Sequence, residues 1–114
     1  MIRGVGVDAV PVARMRRALE RTPRLSERVF TPHELTTARS RGSPAQSLAA
    51  RFAAKEACRK ALGVPLRLRS VEVFADESRV PHLRVEGYAD LTFHVSLTHT
   101  DDMAVAIVLA ESSR

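Results

Sequence analysis

Residues 51–63, RFAAKEACRKALG, commit the chain to one element before any other can be placed. Alanine is the strongest helix former, and the alanine-rich run starts further upstream, so the sequence predicts a helix over 45–62. Gly63 is well placed to end it, with Pro65 just beyond. Laid out at 100° per residue, Arg51, Lys55 and Arg59 fall within roughly 80° of one another and read as a cationic stripe. Glu56 and Lys60, one turn apart, fall on the other side among Phe52, Ala49 and Ala53. An i,i+4 Glu–Lys pair stabilises a helix by about 0.2–0.5 kcal/mol. That is a complete account of the pair unless other parts of the chain converge on it.

The rest of the chain reads as α+β. IRGVGVD (2–8) is a strand with Ile2, Gly4, Gly6 and Asp8 on one face, where two glycines admit close approach of another backbone or a ligand. Pro11 suits a first helical turn, and a helix follows over 12–21 with Val12, Met15 and Leu19 on one side and Arg14, Arg17 and Arg21 on the other. Thr31, Pro32 and Glu34 form a capped helix start, and 40–44 is a loop. Strands are expected at 70–75, 82–86, 93–98 and 103–110, with a tight turn at 99–102. The last strand is apolar on both faces, which places it in the middle of a sheet or at a subunit contact. The 114 residues suffice for one domain with its own core, spanning 1–114.

A net charge of +5 points to an acidic partner without naming it. One tyrosine, four phenylalanines and no tryptophan supply base-stacking platforms poorly, so nucleic acid is not the expected partner. Neither a signal peptide nor a spanning helix is recognisable, a membrane is not expected, and the cytoplasm is the expected compartment. The lone Cys58 sits among alanines and reads as a small core residue.

Asp8, Glu56, Lys60 and His99 remain as candidates for chemistry. Asp8 also reads as an N-cap for the helix after it, and His99 as an ordinary turn residue. Two carboxylates on different elements suit Mg²⁺, which takes one or two carboxylates and completes its shell with water and phosphate oxygens. A lysine one turn beyond the second carboxylate reaches the same phosphates.

Three stretches together resemble the holo-acyl-carrier-protein synthases, the small bacterial class of phosphopantetheinyl transferases. GVGVD (4–8) is similar to the family's N-terminal strand, RFAAKEACRKALG (51–63) to its signature helix, and HVSLTHT (94–100) to its C-terminal motif. The resemblance implies an antiparallel sheet packed against a long helix, in the 4′-phosphopantetheinyl transferase fold. It also implies transfer of the phosphopantetheine arm of coenzyme A to a serine of an apo acyl carrier protein, with adenosine 3′,5′-bisphosphate leaving. Asp8 and Glu56 would hold Mg²⁺, and Lys60 would contact the pyrophosphate; these three form the implied catalytic set. The seryl proton would go either to a metal-bound water or to Glu56. Arg51, Lys60, Gly63, Pro81, His99 and Thr100 would contact coenzyme A. Arg14, Arg17, Arg21 and Arg24 would dock an acidic helix of the carrier protein, and the assembly would be a homotrimer with shared active sites.

Two other readings weigh less. A relative that binds without turnover is disfavoured by the intact Asp8, Glu56 and Lys60. A nucleic-acid module is disfavoured by a carboxylate pair that repels phosphate when no metal is bound. The chain also departs from the family pattern: where a Gly-x-Pro turn is usual, SRVPHL keeps Pro81 but carries Arg79 in the glycine position. Arginine there forfeits glycine's positive-φ freedom and brings a cation toward a phosphate of coenzyme A.

Overall fold

The structure, a computed structural model, describes residues 1–113. Strand β1 (Ile2–Pro11) leads into helix α1 (Val12–Arg21), and a short helix α2 (Leu25–Val29) and α3 (Pro32–Arg39) follow. The long helix α4 (Pro44–Leu62) comes next, then a 3₁₀ turn at Leu68–Ser70. Strands β2 (Val71–Ala75), β3 (Pro81–Val85), β4 (Leu91–His99) and β5 (Met103–Ser112) complete the chain. All pairings are antiparallel, but they divide into two sheets, β1-β5-β4 and β2-β3.

Sheet and helix meet along a seam that the glycines make possible. A Cβ added at Gly4 would stand 1.8 Å from the carbonyl oxygen of Ala61, and one at Gly6 would stand 1.9 Å from that of Ala57. Either contact is far inside van der Waals range, so β1 lies against bare helix backbone. The spacing matches: two strand residues advance about 6.6 Å and four helix residues about 6.0 Å. Strand and helix run in opposite directions, and the next residue on this face, Asp8, clears the helix backbone and shares a cleft with Phe52 and Glu56.

β5 is the central strand and turns Ala104, Ala106, Val108 and Ala110 toward α4, all buried. Its other face, with β1, leaves apolar side chains open: Val5 is 54 %, Val7 55 % and Ile107 46 % exposed. Val7 and Ile107 are directly paired across the ladder. Thus β5 is both central in its sheet and part of an uncovered apolar face.

The expected capping box is present. Thr31 Oγ1 accepts from the Glu34 backbone N–H at 3.2 Å, and Glu34 Oε1 accepts from the Thr31 N–H at 2.8 Å. Gly63 ends α4 in the left-handed conformation, φ 69°. Three expectations need correction. Asp8 caps no helix, because β1 continues through it and Pro11 takes the N-cap position of α1. β4 runs through His99, so the tight turn begins at Thr100. Finally, Lys55 belongs to no exposed cationic stripe: it is fully buried and paired to Glu34 at 2.7 Å. Its ammonium also donates to the Leu68 and Val71 carbonyls, so every proton on it has an acceptor. Burial lowers the Lys55 pKa, against the opposing pull of Glu34.

Candidate active site

Two clefts flank α4. The smaller, about 350 Å³, is lined by Asp8 of β1, Arg14 and Met15 of α1, and Phe52 and Glu56 of α4, among others. Asp8 is delivered by the glycine seam and Glu56 by α4, about 100° around the helix from the Lys55 anchor. Both carboxylates are largely covered, their side chains 19 % and 28 % exposed. The i,i+4 pair expected within α4 does not form. Lys60 Nζ lies 3.1 Å from Asp8 Oδ1 and donates to the Val7 carbonyl at 2.9 Å, while Glu56 accepts from Arg59 at 2.9 Å. Each carboxylate therefore has its own cation, and the lysine ties helix to strand.

The larger cleft, about 520 Å³, runs over the first half of α4. Arg41, Arg51, Arg79, Pro81 and His99 line it, together with Gln46, Ser47 and Phe74. Arg51 Nη1 donates to Ser47 Oγ at 2.6 Å, while its Nε is buried with no partner among the described residues. Burial lowers the Arg51 pKa; Glu34 opposes this, and the charge of Arg41 adds to it. Two arginines that repel each other across a cleft, one with an unused buried donor, make an anion-binding surface.

The model of the 4′-phosphopantetheinyl transferase superfamily matches residues 4–108. The chain belongs to that superfamily. A holo-[acyl-carrier-protein] synthase of Streptomyces griseus is 47 % identical over 97 % of this chain and 99 % of its own length. That of Kocuria rhizophila is also 47 % identical, over 98 % of this chain and 94 % of its own. The crystal structure of a holo-(acyl-carrier-protein) synthase from Bacillus anthracis in complex with CoA (3′,5′-ADP) superposes with a TM-score of 0.89. It is 32 % identical and covers 99 % of each chain. The α+β fold, antiparallel sheet against a long helix, is that of these transferases.

In this transferase chain the structure gathers some of the expected site residues and leaves others apart. Asp8, Glu56 and Lys60 come together. Arg51, Pro81 and His99 share the larger cleft. Thr100 lines neither cleft; its Oγ1 instead accepts from the N–H groups of Asp102 and Met103 and closes the β4–β5 turn. Gly63 also lines neither and serves as the helix stop. Arg14, Arg17, Arg21 and Arg24 are all exposed, with Arg14 at the rim of the carboxylate cleft. Arg41, Gln46, Ser47 and Phe74 were not singled out from the sequence. They lie in a loop, on the first turns of α4 and in β2, where no local pattern marks a side chain as facing a cleft.

Proposed function

We propose that the chain is a holo-[acyl-carrier-protein] synthase, with residues 1–114 as the transferase domain. It moves the 4′-phosphopantetheine arm of coenzyme A to a serine of an apo acyl carrier protein. The observation that carries this reading is the convergence of Asp8 and Glu56 on one cleft, with Lys60 fixed beside Asp8. The relatives carry the same name along nearly their whole length, and the Bacillus anthracis structure holds the coenzyme.

The donor set fits Mg²⁺. Among the described residues no group of three or more His, Cys, Asp or Glu gathers, so the set is two carboxylates. That suits an ion that keeps waters and phosphate oxygens as its other ligands, and does not suit four-ligand zinc. Asp8 and Glu56 would hold it. When bound, such an ion polarises phosphoryl oxygens and neutralises charge on a leaving phosphate. Lys60 offers its ammonium to the same phosphates from the Asp8 side. The serine gives up its proton, to Glu56 or to a water, and its oxygen attacks the phosphorus bearing the pantetheine arm; the pyrophosphate P–O bond breaks, and adenosine 3′,5′-bisphosphate leaves. The larger cleft, with Arg51, Pro81 and His99, takes the nucleotide end.

Arg14, Arg17, Arg21 and Arg24 form the landing surface for an acidic helix of the carrier protein, and Arg14 places that partner beside the carboxylates. The open apolar face at Val5, Val7 and Ile107 is read as the contact surface of a homotrimer with shared active sites. The expected compartment is the cytoplasm, in keeping with a lone cysteine that is buried and unpaired. Among the described residues no helix is long and apolar enough to cross a membrane. Incubating the protein with coenzyme A, Mg²⁺ and an apo carrier protein, then weighing the carrier, tests the proposal. A metal-dependent mass gain of one phosphopantetheine supports it, and an unchanged carrier mass overturns it.

A further inference from the structure

We infer that Arg79 is a specificity-determining residue that reads the 3′-phosphate of coenzyme A, the group that distinguishes it from dephospho-coenzyme A. This inference rests on the proposed function.

The first observation is conformational. Arg79 has φ 65° and is the one non-glycine residue with positive φ among the described residues. An arginine pays a steric cost there that glycine does not. The turn holds it in place: Arg79 N–H donates to the Asp76 carbonyl at 2.9 Å, and the Asp76 N–H donates to the Val80 carbonyl at 3.0 Å. Asp76 Oδ1 accepts from the N–H groups of Ser78 and Val80, and its Oδ2 pairs with His82 at 2.8 Å. This is a β-turn, closed by the 76–79 hydrogen bond, that ends on a left-handed residue, a position glycine usually takes. The backbone has kept the glycine conformation although the glycine is absent.

The second observation is where the side chain lies. Arg79 is exposed and lines the larger cleft with Arg41, Arg51 and His99. Its guanidinium has no hydrogen bond or ion pair among the described residues. Three arginines line the cleft and no carboxylate does. A phosphate monoester carries nearly two negative charges at neutral pH and several acceptor oxygens, which planar guanidiniums meet in pairs. The pyrophosphate is the other anionic part of coenzyme A, and the proposed function assigns it to Lys60 and to the metal that Asp8 and Glu56 would hold at the other cleft. The monoester on the ribose is what remains for the three arginines. Glycine would satisfy the turn; what arginine adds there is a third cation over the cleft.

Calorimetric titration with coenzyme A and with dephospho-coenzyme A separates the possibilities. Wild type is expected to prefer coenzyme A. Arg79→Ala and Arg79→Gly should each lose about tenfold in affinity for coenzyme A, as expected for a lost charge-assisted contact, and less than about twofold for the dephospho form. Arg79→Gly removes the backbone strain, so its Tm should exceed that of wild type, which shows that the lost affinity is not lost folding. Unchanged coenzyme A affinity in both variants, or equal losses for the two ligands, overturns the inference. A wild type that binds neither nucleotide overturns the proposed function itself.

Discussion

Lys60 reaches 52 residues back along the chain to place its ammonium 3.1 Å from the Asp8 carboxylate, leaving Glu56 to Arg59. The lysine is thus fixed on one carboxylate, and the other is paired to the partly exposed Arg59. If the two carboxylates hold the metal, neither is dispensable. Asp8→Ala or Glu56→Ala should lower kcat/KM by more than about 100-fold, which is roughly 2.7 kcal/mol of transition-state stabilisation. Circular dichroism should show an unchanged fold. Near wild-type turnover in either folded variant rules out the assignment.

The exposed arginines of α1 should act on one substrate only. Arg14→Glu together with Arg21→Glu should raise KM for the carrier protein several-fold more than KM for coenzyme A. Added salt should mimic the effect, since the Debye length falls from about 10 Å at 0.1 M to about 3 Å at 1 M. Parallel changes in both KM values would speak against docking at this face.

Much of the architecture was readable in short-range pattern, and the failures have a common cause. The Thr31–Glu34 box spans a single turn, so its spacing was sufficient evidence. The glycines of β1 announced a close approach, but the partner, the α4 backbone at Ala57 and Ala61, is some fifty residues away and no local signal names it. Helical angle alone groups Lys55 with Arg51 and Arg59, because it cannot reveal its partner Glu34 on another helix. α2, five residues long, is too short to show a helical period. At Arg79 the side chain suggested a changed turn, whereas the Asp76 hydrogen bonds kept the backbone as glycine would have it.

The buried Lys55–Glu34 pair predicts an asymmetric mutational response. Both side chains are fully buried, and Glu34 also accepts from the Val73 N–H at 2.8 Å, joining α3, α4 and β2. Lys55→Met leaves a carboxylate buried without its cation and should cost about 3–5 kcal/mol in chemical denaturation. The double variant Lys55→Met/Glu34→Gln should recover part of that loss. Additive losses would show that the two residues act separately.

Assembly is tested by sedimentation. A trimer that conceals Val7 and Ile107 should dissociate when Val7→Asp places a charge on that face, with activity lost in parallel if the sites are shared. A wild-type monomer that is fully active would refute the proposed assembly.

The seam itself is the most sensitive structural feature. Gly6→Ala drives a methyl group into the Ala57 carbonyl, and neither backbone can yield as a side chain would. A loss of about 3 kcal/mol or more is expected, seen as a fall in Tm of roughly 10 °C or more. A variant that melts with the wild type would mean that strand and helix are less closely apposed.

The same seam decides where a carboxylate can be. At positions 4 and 6 helix backbone occupies the space that any side chain would need, so past Gly6 position 8 is the first on that face of β1 able to carry a functional group. The strand and α4 behave as two graduated scales sliding past each other, aligned at two marks and read at the third. Inserting or deleting one residue between Gly4 and Asp8 would turn the aspartate to the outer face of the sheet, and a like change between Glu56 and Ala61 would rotate the glutamate about 100° away. Neither kind of length change can be absorbed there, whereas the loop at 64–67 lies off both scales, lines neither cleft and is free to vary in length.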